Sequence, residues 1–309
     1  MDALTATREL DLSTVPLRSV NALLHGRPVD GHPPLGPEES VVLTRPRGAH
    51  AVAVGLEEPR QVRVEGHVGY YAAGMNQRAD VVIEGNAGVG VAENMMSGSV
   101  TVRGNASQSA GATAHGGLLV VEGDAAARCG ISMKGVDIVV GGSVGHMSAF
   151  MAQAGRLVVR GDAGDALGDS IYEARLYVRG SVASLGADCV AKQMGPAHLE
   201  ELAGLLKAAG FEDDDPATYK TYVINAAHVD PERDAHIGRH FNLYASGYYK
   251  PPVALSIPVA IETIKQETSE EFEQLKKGQA RIMMISCFSC SYQSVQLVTT
   301  VNGFLKKVC

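Results

Sequence analysis

The chain has no tryptophan, and aromatic residues make up only 5% of its 309 positions. That shortage disfavours a polysaccharide-active enzyme, which lines an exposed groove with aromatic platforms. Cysteine is sparse and odd in number, five in all. Such usage fits reduced thiols better than a disulfide framework. No run of 18 apolar residues is present, so no membrane-spanning helix is expected. The first ten residues, MDALTATREL, lack the apolar core of a signal peptide, and a cytoplasmic location is the expectation. Net charge is −7 with no basic cluster, which argues against a nucleic-acid partner.

What the chain has in excess is glycine, 35 residues, and seven of these are evenly spaced. Gly66, Gly85, Gly104, Gly123, Gly142, Gly161 and Gly180 stand 19 residues apart. Four and two places before each one lie Val62/Val64, Val81/Ile83, Val100/Val102, Leu119/Val121, Ile138/Val140, Leu157/Val159 and Leu176/Val178. All fourteen are branched aliphatics, and a spacing of two puts each pair on one face of a strand. One place after the glycine the residue is polar: His67, Asn86, Asn105, Asp124, Ser143, Asp162 and Ser181. Two places after it stand Val68, Ala87, Ala106, Ala125, Val144, Ala163 and Val182, all apolar. Seven places after it stand Ala73, Ala92, Gly111, Gly130, Ala149, Gly168 and Ala187, all tiny.

One strand per cycle cannot bury its own apolar face, whereas stacked cycles can. The pattern predicts an all-β fold, a single-stranded right-handed parallel β-helix of about seven 19-residue rungs, with the seven glycines as its bends. A flexible glycine-rich linker does not hold aliphatics in register. A dinucleotide loop, suggested by Gly85-Asn-Ala-Gly-Val-Gly90, occurs once between a strand and a helix rather than in every cycle.

Outside the repeat, residues 1–40 predict a helix over Leu17–Leu24, capped by Ser13 or Thr14, and a loop. Residues 41–195 form the β-helix module, with 41–60 expected to cap its open end. Residues 196–222 are read as a capping helix, placed to cover the bottom rung, and an acidic linker. Residues 223–309 form an unassigned extension. In it Ser269–Lys277 reads as a helix, and Arg281–Val301 as one or two strands.

Few residues suggest chemistry. Cys287-Phe-Ser-Cys290 is a lone pair, half a zinc site. His236 and His240 are four apart without the glutamate of a zinc protease. Cys129 and Cys189 sit in the small-residue walls and read as inert buried thiols, and His67 and His146 as hydrogen-bonded turn residues. No catalytic and no metal-ligating residue is assigned. Three places before each glycine, the outward strand position reads Arg63, Val82, Thr101, Val120, Val139, Val158 and Tyr177. Val120, Val139 and Val158, flanked by Thr101 and Tyr177, make an apolar stripe. Such a stripe predicts burial beneath a partner subunit or beneath the chain's own tail, and is a candidate docking face.

Several long runs carry a family resemblance. They are Arg45-Pro-Arg-Gly-Ala-His-Ala, Gly66-His-Val-Gly-Tyr-Tyr, Gly88-Val-Gly-Val-Ala-Glu-Asn-Met-Met-Ser-Gly, Gln108-Ser-Ala-Gly-Ala-Thr, Arg128-Cys-Gly-Ile-Ser-Met-Lys-Gly, Gly142-Ser-Val-Gly-His-Met-Ser-Ala-Phe-Met and Leu167-Gly-Asp-Ser-Ile-Tyr-Glu-Ala. Together they resemble the glycine-repeat (GXGXG) β-helix module that closes the large subunit of glutamate synthase. They most resemble the separate small subunit carrying that module in N-methylglutamate synthase-type complexes. The resemblance covers residues 12–222. It implies a structural subunit with no activity alone, whose partners are an amidotransferase-like subunit and a flavin-binding synthase-like subunit. FMN and an iron–sulfur cluster would then belong to the partners, with no cofactor in this chain. The β-helix subunit of formylmethanofuran dehydrogenase or of formyltransferase/hydrolase complexes has the same module, so it is the alternative.

Overall fold

The computed structural model describes residues 7–36 and 39–225, and the backbone of three strands further on. Expectations for His236, His240, Cys287, Cys290 and the helix at Ser269–Lys277 fall outside the described residues. The chain divides into two units. The first holds an 11-stranded sheet and two α-helices; the second holds a three-stranded antiparallel sheet.

In the first unit the strands are β1 (Thr7–Asp11), β2 (Ser40–Thr44), β3 (Gln61–Glu65), β4 (Asp80–Ile83), β5 (Ser99–Val102), β6 (Leu118–Val121), β7 (Lys134–Val140), β8 (Ala154–Val159), β9 (Arg175–Val178), β10 (Cys189–Lys192) and β11 (Lys220–Ile224). Pairing is parallel from β1 to β9 and follows the repeat. Val62, Val81, Val100, Leu119, Ile138, Leu157 and Leu176 are stacked partners, and so are the aliphatics two places on. All fourteen are buried in one continuous core. Two places after each glycine, Val68, Ala87, Ala106, Ala125, Val144, Ala163 and Val182 form a second parallel row of bridges. One strand and one bridge per cycle make each cycle a closed coil, and the stack is a parallel β-helix.

Between these rows the backbone turns left-handed at alternate residues. In the coil of β5 these are Ser109 (φ 61°), Gly111 (φ 66°) and Thr113 (φ 54°). Such angles are strained for side-chain-bearing residues. Here alternation aims successive amides at opposite neighbours. Ser109 and Thr113 donate to Ala127 and Ile131 in the next coil, and Gly111 donates back to Val91. Each coil is therefore hydrogen-bonded on both sides even where it is not a strand.

The ends differ from expectation. Residues 41–60 do not cap the column, because β1 and β2 extend its sheet by two strands. The cap there is α1 (Leu17–Leu24), whose Val20, Leu23 and Leu24 join the core. Its Asn21 bonds the Ala51 carbonyl and the Ala53 amide, so the helix closes backbone groups of the first coil. No side chain caps its N-terminus; Ser13 and Thr14 bond Asp11 instead. At the other end α2 (Pro196–Ala208) does not cover the bottom rung. Its Leu202, Leu205 and Leu206 cluster with Val139, Val158 and Tyr177 on the outer face. The helix lies along the flank because its apolar side matches the apolar stripe there. The parallel ladder stops instead at β11, which pairs antiparallel with β9 on one edge and β10 on the other.

The second unit contains β12 (Ala280–Ser286), β13 (Val295–Val301) and β14 (Phe304–Val308), paired in that order. Among the described residues no helix is long and apolar enough to cross a membrane.

Candidate docking face

The outward stripe is a true column, since Arg63, Val82, Thr101, Val120, Val139, Val158 and Tyr177 pair rung to rung. Its exposure falls along the stack. Arg63 is exposed, Val82 and Thr101 are half-buried, Val120 is buried, and Val139, Val158 and Tyr177 have no exposed surface. The cover over the last three is α2 together with Tyr219.

Two ion networks hold that cover down. Glu201, on α2, accepts from Arg156 Nε at 2.9 Å, Arg175 Nη1 at 2.7 Å and the Tyr177 hydroxyl at 2.5 Å. Asp214 follows α2 in the segment read as a linker. It accepts a forked pair from Arg160 at 2.7 and 2.8 Å, one bond from Arg179 at 3.1 Å and one from the Tyr219 hydroxyl at 2.6 Å. The Arg160 guanidinium also lies 4.1 Å from the centre of the Phe211 ring. Each carboxylate thus takes two arginines 19 residues apart, one from β8 or its end and one from β9 or its end. A carboxylate engaged this way reads the coil spacing and fixes the helix in register.

The electrostatics follow from these contacts. Hydrogen bonds from Arg160, opposed by partial burial, hold the Asp214 carboxyl down to about 2. Burial pulls Glu201 upward, but Tyr177, Arg175 and Arg156 outweigh it, and the group stays below its usual range. Burial first, and Glu201 second, push the Tyr177 hydroxyl up, so it remains a donor. Asp214 has a depressed folded value, so it contributes stability above its unfolded value of about 3.8 and loses it as pH falls toward about 2. Asp214→Asn should lower stability at neutral pH by about 1–3 kcal/mol. The gap from wild type should narrow as pH falls below about 3.8 and close near about pH 2. Melting temperatures measured from pH 7 to pH 2 check this; a gap independent of pH would show that the charge is not what matters.

The bends also carry an unexpected polar column. The His67 ring accepts from the Asn86 amide, Asn86 from the Asn105 amide, Asn105 from Asp124, Asp124 from Ser143, Ser143 from Asp162 and Asp162 from Ser181, at 2.7–3.0 Å. Each side chain reaches one coil onward, which turns the polar turn residues into a ladder. Of the seven repeat glycines, Gly66 takes positive φ (137°). The other six serve close stacking: a Cβ on Gly85 would stand 2.6 Å from the Gly66 carbonyl carbon.

Sequence reasoning missed both the ladder and the ion networks. The ladder was signalled by unbroken polarity after each glycine. The networks were signalled by arginines at matching repeat positions, Arg156 with Arg175 and Arg160 with Arg179. Among the described residues no group of three His, Cys, Asp or Glu side chains is placed to hold a metal. Cys129 and Cys189 are buried thiols, pushed up by desolvation to about 12 and about 11, so neither is a nucleophile at neutral pH.

No family model matches the chain, and no solved structure matches it. Protein GlxC of Rhizobium meliloti (strain 1021) is 58% identical over 213 residues, a span that covers 69% of this chain and 91% of that protein. With identity at that level over nearly the whole relative, the chain belongs to the GlxC family, within the glutamate synthase-like group that its repeat motifs resemble.

Proposed function

We propose that this chain is a non-catalytic scaffold subunit of a glutamate synthase-like complex of the N-methylglutamate synthase type. Its partners would be an amidotransferase-like subunit and a flavin-binding synthase-like subunit, which hold the FMN and the iron–sulfur cluster. The observation that supports this reading is the flank. The outward column runs apolar from Val120 to Tyr177, and α2 roofs it only from Val139 onward. Val82 and Thr101 continue the column half-buried, a ready edge for a second polypeptide. The docking face would therefore be Val82 and Thr101 together with the outer side of α2.

Tagged full-length chain, purified from a host that also expresses its neighbouring genes, should bring down both partner types for identification by mass spectrometry. The chain alone should show no flavin absorbance and no glutamine turnover. Glutamine hydrolysis by the isolated chain, or its isolation without either partner type, would sink the reading. Recovery of formyl-transfer subunits would select the alternative complex.

A further inference from the structure

A second surface stands apart from the flank by its chemistry. Large apolar side chains are exposed at Tyr70 (52%), Met75 (44%), Val89 (41%) and Met96 (47%), all from the coils of β3 and β4. Backbone bonds tie these coils together: Tyr71 donates to Val89, Met75 to Glu93 and Met96 to Asn76. Beside Tyr70 is Gly90, in a left-handed conformation (φ 71°). A Cβ there would stand 2.6 Å from Glu93 Oε2 and 3.7 Å from Tyr70 Cε2, so the carboxylate lies directly over this buried glycine with the ring edge beside it. The ring is supported from behind. Tyr70 rests on Tyr71 with centroids 5.5 Å apart, Asn94 donates to the Tyr71 hydroxyl, and Thr113 donates to Asn94.

Glu93 is the anomaly of the patch. It is half-buried, and among the described residues it has no ion pair and no side-chain hydrogen bond. Glu201 and Asp214, also half-buried, are paired with arginine, and half-buried Asp169 accepts from the Ser170 hydroxyl and the Ala187 amide. Burial alone pushes the Glu93 carboxyl above its usual range. A partly desolvated charge without a counter-ion is costly, and a cation arriving from outside would recover that cost.

We propose that the Tyr70 ring and the Glu93 carboxylate, which lies over Gly90, form a seat for an arginine side chain of a partner subunit. Arginine fits better than lysine. Its planar guanidinium can lie against the Tyr70 ring while its fork meets the carboxylate. The rim of Met75, Val89 and Met96 supplies the apolar surround that excludes water from such an anchor. The inference rests on the scaffold reading and adds the point at which a partner is gripped.

The test uses the full chain in two ways. First, N-acetyl-arginine amide and its neutral isostere N-acetyl-citrulline amide are titrated into isotope-labelled protein. The arginine probe should move the Glu93 carboxyl and Tyr70 ring signals at a concentration at least tenfold lower than citrulline. Second, Glu93→Gln and Tyr70→Ala should each weaken the isolated complex at least tenfold, while Tyr70→Phe, which keeps the ring face, should not. Melting temperatures equal to wild type show that these variants fold. Equal responses to the two probes, or a complex indifferent to Glu93→Gln and Tyr70→Ala, overturns the seat. If the wild-type chain forms no complex, the scaffold reading falls, and the seat falls with it. A complex that forms but ignores these two residues refutes the seat alone. Self-association of the chain lost in Glu93→Gln would replace the partner with a second copy and overturn the proposal as stated.

Discussion

Gly123→Val should unfold or aggregate the column. A Cβ at Gly123 would run into the Asn105 side-chain oxygen and stand 2.9 Å from the Gly104 carbonyl oxygen. The first is the acceptor for the Asp124 amide, and the second already accepts from Gly123 itself. Neither can move without breaking a rung of the polar ladder or of the backbone stack. The identical approach recurs one coil above and one below, so strain cannot be passed along. The loss should exceed about 4 kcal/mol, the range of the severest single substitutions. Gly204→Ala is the control. Gly204 lies exposed in α2 with nothing within 4 Å of an added Cβ, and alanine there should raise stability by about 0.5–1 kcal/mol. Thermal melting of both proteins decides the matter. A Gly123→Val protein that melts with wild type would show that the glycine is dispensable.

Val139→Lys should release α2 from the flank. Val139 is fully buried between Val120, Val158 and the leucines of α2. An ammonium there would be desolvated among apolar side chains, and Glu201 at the edge of the cluster is already held by Arg156, Arg175 and Tyr177. The inward face of β7, Ile138 and Val140, is untouched, so the column itself should persist. The expected result is a helix that opens while the sheet holds, at a cost of about 3–5 kcal/mol to the closed form. Hydrogen exchange should rise by two or more orders of magnitude at Leu202, Leu205 and Leu206 and stay unchanged at Val100 and Val121. Global loss of protection would mean that α2 is part of the folding unit rather than a roof upon it. Unchanged protection in α2 would mean that the stripe does not hold the helix.

The column was legible because its information is local and repeated. A pair of aliphatics before a glycine says little once; in seven registers it leaves no other fold. The existence of the helix at Leu17–Leu24 and of one beginning near Pro196 was legible in the sequence. Their positions were not. Where α1 and α2 dock depends on side chains far away in sequence: Asn21 on Ala51, Glu201 on Arg156 and Arg175, Asp214 on Arg160 and Arg179. A run such as Glu212-Asp-Asp-Asp-Pro216 has the composition of a solvated linker, and only the folded arginine pairs single out Asp214. The left-handed residues were hidden for a different reason. Ser109, Thr113, Met147 and Met151 are poor choices for positive φ, and inter-coil hydrogen bonds rather than residue preference put them there.

A stack of parallel coils is an open template, since its last strand offers the same unpaired edge as every strand before it. Fibrils grow from such edges. Among the described residues the two sheet edges discourage growth by different means. The strand that meets β9 runs the other way, so an incoming coil finds the wrong polarity, and the edge beyond it is the four-residue β10 bearing exposed Lys192. At the opposite end β1 carries Arg8 and Glu9, with Arg8 tied to Glu39. The column of the first unit, built on the geometry of an amyloid rung, thereby keeps both of its described sheet edges poor templates for a further parallel coil.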